Sequence, residues 1–162
     1  MDGINGLALA RALHVLGVVI WIGGVAFVTL VLLPACAEEP EPSRALALFE
    51  RLEHRFAPLA RWSVALAGLS GLWLLHVTGA AWRFSGPLAQ WWMYGMVGVW
   101  SVFALMLYVL EPFVLRTRLA ALAHAHPVAT LARVQRLHRV LLLVSLVVLG
   151  GAVAGSHGGL LA

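Results

Sequence analysis

Four long apolar stretches divide the chain, and most polar residues fall in the segments between them. The stretches cover about 7–35, 58–81, 89–115 and 137–156. Each can cross the ~30 Å hydrocarbon core of a bilayer as a helix, which takes ~20 residues. None shows the alternation of a membrane β-strand, and only helices or closed barrels satisfy their backbone groups in lipid. The pattern predicts one all-α domain over 1–162, a polytopic membrane four-helix bundle.

An amphipathic segment lies just before the second stretch. Ser43 is a suitable N-cap for a helix over 44–55, whose opposite face carries Arg and Glu. Its apolar residues recur at near-helical spacing: Leu46, Phe49, Leu52 and Phe56. This pattern predicts a short interfacial helix between spans one and two. Pro58 disfavours helix at the residue before it and predicts a break there.

The arginines predict the orientation of the bundle. Only 11% of the residues are charged, against about a quarter in soluble domains, and every basic residue is arginine. Nine arginines follow spans one and three: Arg44, Arg51, Arg55, Arg61, Arg116, Arg118, Arg133, Arg136 and Arg139. By the positive-inside rule, we expect a multi-pass protein of a bacterial inner membrane with both termini periplasmic. The basic charge flanks membrane spans, so nucleic acid is not an expected partner.

Three histidines fall at the predicted outer end of the bundle. His14, His76 and His157 belong to spans one, two and four, and ionisable residues within membrane spans usually mark function. Imidazole is a common ligand of transition metals and of haem iron. Histidines on facing helices suit a b-type haem with two axial imidazoles. We therefore predict that two of His14, His76 and His157 ligate a haem, or that the three histidines bind a metal ion.

The neighbours of His14 allow two interpretations. His14, Gly17, Trp21 and Gly24 lie at spacings of three and four, hence on one helix face, and Gly68 precedes His76 on a similar stripe. Small residues beside a histidine leave room for a flat macrocycle, which makes Gly17 and Trp21 candidate cofactor contacts. The same spacing also forms the ordinary packing face of membrane helices.

Other residues suggest weaker sites. At the inner side, His54 and His138 would hold a second haem, or else be interfacial side chains among arginines. His124 and His126 are expected in a solvated loop. Glu111 is the one acid within a predicted span, and it would serve a proton or quinone site, pair with Arg116, or reach the interface. Cys36 is the only cysteine, so the chain cannot form an intrachain disulfide.

A short motif in span one resembles a known family. Leu13-His14 is followed by Trp21-Ile22-Gly23-Gly24, which is similar to the opening helix of the copper-resistance protein D superfamily and of the J-type membrane protoporphyrinogen oxidases. Further short motifs resemble small proteobacterial members of that superfamily: Trp91-Trp92-Met93, Leu110-Glu111-Pro112, Gln135-Arg136-Leu137-His138 and Gly155-Ser156-His157-Gly158. The resemblance implies a four-helix bundle around a span-one histidine that can hold haem. The oxidases also use a lysine, which this chain lacks, so the resemblance does not extend to their activity.

The leading hypothesis is a membrane protein in the lipid bilayer that binds one or two b-type haems. It would transfer electrons to or from a quinone or a periplasmic redox partner. An alternative is copper binding or transport of the copper-resistance protein D type, with Met93 and Met96 as soft ligands. A further alternative is a structural or assembly subunit whose histidines make interhelical hydrogen bonds. Membrane oxidoreductase activity stays open, and small-residue faces would allow a homodimer.

Overall fold

The computed structural model describes residues 2–80, 84, 90–119, 123 and 125–156. Within them, α1 (Asp2–Phe27) runs through wider, π-type turns (Val28–Leu32) into the short α2 (Leu33–Glu38). Next come α3 (Pro42–Val77), α4 (Trp91–Leu105), which continues as a π-type helix (Met106–Leu119), and α5 (Pro127–Ser156). The described residues contain no strand.

Four of these helical stretches are long and apolar enough to cross a membrane. They are Gly6–Glu38, Pro42–Val77, Trp91–Phe113 and Pro127–Ser156, named spans one to four below. Many large apolar side chains on their outer faces are exposed, as on a surface that lipid covers; Leu69, Phe113 and Leu143 are examples. The predicted all-α membrane helical bundle is therefore confirmed.

The helices are longer than the apolar stretches predicted. Residues 44–55 are helical as expected, but they form the first turns of α3, which continues through Pro58 without the predicted break. Proline removes one backbone hydrogen bond, to the carbonyl of His54 four residues earlier. His54 and Pro58 are both exposed, so this carbonyl can be solvated at the membrane boundary. Span four likewise begins at Pro127 rather than near residue 137.

Two hydrophobic clusters hold the bundle together. The central cluster joins all four spans through Trp21, Ile22, Val25, Val64, Ala67, Phe103 and Leu142. The second cluster lies towards the arginine-rich end and contains Val28, Leu32, Leu33, Cys36 and Ala45, with Phe49, Leu52, Leu131 and Val134 packed against it. The apolar face of the predicted interfacial helix thus packs on other helices.

The second cluster extends the bundle past the apolar core of the membrane. α3 has 36 residues and α5 has 30, which correspond to lengths of ~54 and ~45 Å against a hydrocarbon thickness of ~30 Å. The additional turns lie at the end that carries the exposed arginines of both helices: Arg44, Arg51 and Arg55 on α3, and Arg133, Arg136 and Arg139 on α5. The amphipathic residues of 44–55 therefore bury their apolar side in a small helical cluster adjoining the bilayer.

Candidate functional site

His14 lies between spans one and two and bonds to the backbone of α3. Its Nδ1 is 2.9 Å from the carbonyl oxygen of Ala67 and 3.3 Å from Oγ of Ser70. A carbonyl oxygen only accepts hydrogen bonds, so Nδ1 carries the proton. In the neutral imidazole this leaves Nε2 with a free lone pair. The arrangement fixes the ring and the tautomer of the strongest candidate ligand in the chain.

Gly71 allows the ring of His14 to approach α3. A Cβ at Gly71 would lie 3.1 Å from Cε1 and 3.3 Å from Nδ1 of His14, closer than most packed carbon atoms. The imidazole therefore rests against the surface of α3 at this glycine. Ser70 completes the polar surroundings and directs its own hydroxyl to backbone carbonyls of the preceding turn, those of Leu66 and Ala67.

The glycines that follow His14 on its stripe, Gly17 and Gly24, pack against span two. A Cβ at Gly17 would lie 2.9 Å from the backbone nitrogen of Ala67, and one at Gly24 would overlap the ring of Phe56. Span two therefore occupies the space beside both glycines. Gly17 and Gly24 therefore lie at close contacts between helices, as the second interpretation of this stripe predicts.

Trp21 belongs to the central cluster. Its side chain is 6% exposed and meets the ring of Phe103 edge-to-face, with centroids 5.0 Å apart. Its indole Nε1 is buried and finds no acceptor among the described residues. The hydroxyl of Ser145, on α5, is also buried and has no hydrogen-bond partner among the described residues. Buried polar atoms without protein partners are uncommon and are often bonded to ordered water.

His76 does not meet His14. It is exposed near the end of α3, with its ring 6.2 Å from that of Trp73. It is five positions after Gly71, which places it about 140° around the helix from the contact with His14. The two histidines share one end of the bundle but point in different directions. The predicted role of His157 concerns a residue outside the described part of the chain.

The inner histidines lie in different surroundings. His54 is exposed on α3. His138 is half-buried on α5 and its Nδ1 donates to the carbonyl of Val134, 2.9 Å away. His138 is four positions after Val134, so it shares the face of α5 that packs against the second cluster. His126 is exposed just before α5, whereas His124 lies outside the described residues.

The candidate copper ligands of α4 are close to the protein interior. Met93 is buried and Met96 is half-buried. Among the described residues, no group of three or more His, Cys, Asp or Glu side chains lies close enough together to hold a metal ion. Of the three predicted outer histidines, the described residues include His14 and His76, and these two belong to no such group.

An ion pair joins spans two and three. Arg61 donates from its guanidinium to the carboxylate of Glu111, with the two side chains only 29% and 12% exposed. Glu111 thus has a partner on another span, Arg61, whereas the side chain of the predicted partner Arg116 lies outside the described part of the structure. Two further donors of span three reach carbonyls of span two: Trp100 Nε1 to Val64 at 2.9 Å, and Tyr108 to Arg61 at 2.6 Å.

The sequence contained a signal for this pairing. Arg61 and Glu111 are opposite charges within apolar spans, and a charge inside a membrane needs a partner.

Comparison with known proteins does not identify a family for this chain. No protein-family model, no curated protein and no solved structure matches it significantly.

Proposed function

We propose that this chain is a haem b-binding integral membrane protein that transfers electrons, with His14 as an axial ligand. The observation that carries the proposal is the hydrogen bond from Nδ1 of His14 to the carbonyl of Ala67. Ligating histidines almost always donate their other ring nitrogen in this way, which fixes the tautomer and raises ligand basicity. The bond leaves Nε2 available to iron.

The second axial ligand would be another of the predicted outer histidines. His157 directly follows Ser156, the last described residue of α5, and would supply the second imidazole. His76 would do so only after its ring turns towards span one. When bound between two imidazoles, haem iron carries one electron reversibly and offers no open position for gases.

The cellular setting of the proposal follows from the charges. Exposed arginines gather at one end of spans two and four, which supports a cytoplasmic position for that end and periplasmic termini in a bacterial inner membrane. His14 would then lie in the periplasmic half of the bilayer. A membrane quinone or a periplasmic redox protein would exchange electrons with a haem at that depth.

The test is a visible spectrum of the full-length protein purified in detergent after expression with ample haem. We expect a b-type band in the dithionite-reduced minus oxidised spectrum, with one or two haems per chain by pyridine haemochrome. His14→Ala should remove haem, and the control His126→Ala should keep it. Haem-free wild type, or full haem content in His14→Ala, would refute the proposal.

A second variant separates ligation from folding. His14→Met keeps a side chain able to bind iron but loses the imidazole, so the proposal predicts retained haem with a shifted spectrum and a raised potential. An unchanged spectrum in this variant would exclude His14 as a ligand even if His14→Ala fails to fold.

A structural role is the second candidate, and the same hydrogen bond favours it. The bond joins spans one and two, which is what a histidine of an assembly subunit would do. In that case the wild type is colourless and His14→Ala only lowers the unfolding temperature. Copper content measured on the same sample tests the copper-binding alternative.

A further inference from the structure

Three arginines of α5 lie where its lipid-facing surface begins. Arg133, Arg136 and Arg139 are all exposed. Each is followed four residues later by an exposed large apolar side chain: Leu137, Val140 and Leu143 respectively. Residues four apart share a helix face, so each arginine lies one turn outside an apolar side chain on the same side of the helix.

The direction of the side chains matches a bilayer boundary. Helical side chains tilt towards the N-terminus, which for α5 is the end away from its apolar surface. The guanidinium groups therefore extend away from the hydrocarbon while their methylene stems lie along it. Successive arginines are ~4.5 Å apart along the axis and about 60° apart around it. Together they form a charged band over about a third of the helix circumference.

The charge of this band is not balanced on its own helix. α5 contains no acidic residue, and the three arginines form no ion pair with the described residues. The arginines of α3 differ, because Glu50 and Glu53 share their segment and Arg44 is held 2.8 Å from Glu41. Among the described helices, α5 therefore carries three exposed arginines with no acidic residue on the same helix to balance them.

We propose that Arg133, Arg136 and Arg139 bind the phosphate groups of anionic phospholipids in the leaflet at that end of the bundle. Guanidinium groups bind phosphate through paired, charge-assisted hydrogen bonds. The exposed Leu137, Val140 and Leu143 continue the surface inward, where the acyl chains of the same lipids pack. A soluble anionic partner would use the arginines but not this apolar surface. The proposal does not depend on haem.

Lipid selectivity in vesicles of phosphatidylcholine tests this site. Spin-labelled phosphatidylglycerol and spin-labelled phosphatidylcholine are compared by electron spin resonance with the full-length protein reconstituted. We expect the anionic probe to associate more strongly with the wild type. Arg136→Gln/Arg139→Gln should lower that preference about two-fold or more, because each interfacial arginine attracts an anionic lipid surface.

The matched control removes the same charge from α3. Arg44→Gln/Arg51→Gln should keep the wild-type preference, and Arg136→Lys/Arg139→Lys should largely keep it since the charge remains. High salt should reduce the preference of the wild type. Equal association of both probes with the wild type, or equal losses in the α5 and α3 glutamine variants, would overturn the proposal. If the α5 glutamine variant does not reconstitute, the salt and lysine measurements decide.

Discussion

The missing side chain at position 17 sets how closely the first two spans approach. Gly17 is buried, and its Cα faces the backbone of α3 so directly that an added Cβ would meet Ala67 N, Ala67 Cα and Ser63 O at 2.9, 3.2 and 3.2 Å. Backbone atoms cannot move aside as a flexible side chain can. The same approach brings His14, one turn away, within hydrogen-bonding distance of Ala67 O.

We predict that Gly17→Ala destabilises the protein. The spans must separate, and overpacking of this kind costs about 1–3 kcal/mol. Thermal unfolding in detergent measures the effect. Gly23→Ala is the matched control, because nothing lies within 4 Å of the added carbon there, and its unfolding temperature should stay the same or rise. Equal behaviour of the two variants would contradict this account of the packing.

The environment of His14 was only partly predictable. Its place near the outer end of span one, and its need for a partner, follow from the apolar pattern and the cost of a buried imidazole. The partner itself is a backbone carbonyl, and every residue carries one, so no side-chain pattern distinguishes Ala67. The direction of His76 was also hidden, because it depends on which face of α3 meets span one.

Spans two and three are held together by polar contacts as well as apolar packing. Trp100, Tyr108 and Glu111 lie on one side of span three, at spacings of eight and three residues, and all bond to groups of span two. The last two belong to the π-type helix Met106–Leu119. The wider turns there coincide with the contacts to Arg61, including its bond to the carbonyl of Leu107.

We predict that Glu111→Gln is strongly destabilising. It leaves Arg61, whose side chain is 29% exposed, without its counter-charge, and the loss for a buried pair reaches about 3–5 kcal/mol. Arg61→Leu/Glu111→Leu should recover most of this stability, since neither charge is then buried alone. Equilibrium unfolding of the single and double variants measures the coupling. A double variant less stable than Glu111→Gln would argue against a buried-charge penalty.

The exposed ion pair of α3 should behave differently. Arg44 and Glu41 are 75% and 54% exposed, and exposed pairs contribute about 0–1 kcal/mol. Glu41→Gln should therefore leave the unfolding temperature nearly unchanged. A loss of stability comparable with that of Glu111→Gln would contradict this expectation, because it would mean that the pair contributes as much as a buried one.

The bundle as a whole was more predictable than the ends of its helices. Apolar length alone gives the number of spans, because the hydrocarbon thickness sets a minimum that each stretch exceeds. Hydropathy ends where polar residues begin, however, and α3 and α5 continue as amphipathic helix beyond that point. The second cluster buries Ala45 and has Leu131 packed against it, although the two residues come from distant segments of the chain. Only tertiary packing reveals those contacts.

We predict that the two ends of span two lie on opposite sides of the membrane, with Thr78 outside. Cys36 is the only cysteine of the chain, so a new cysteine introduced into a Cys36→Ser background can be labelled selectively. Thr78→Cys should react with a membrane-impermeant maleimide in intact cells. Ser43→Cys should react only after the cells are permeabilised. Both residues are exposed, and the reverse pattern would invert the orientation derived from the arginines.

The three residues that join α2 to α3 have a consequence for biosynthesis. Because Glu39, Pro40 and Glu41 connect the first two spans directly, the emerging chain can form a helical hairpin before the third span is made. That hairpin already contains the approach at Gly17 and the bond of His14 to Ala67. Once that hairpin has formed, the carbonyls of Arg61 and Val64 that accept hydrogen bonds from span three are already in place. We therefore expect the first half of the chain to guide the docking of the second.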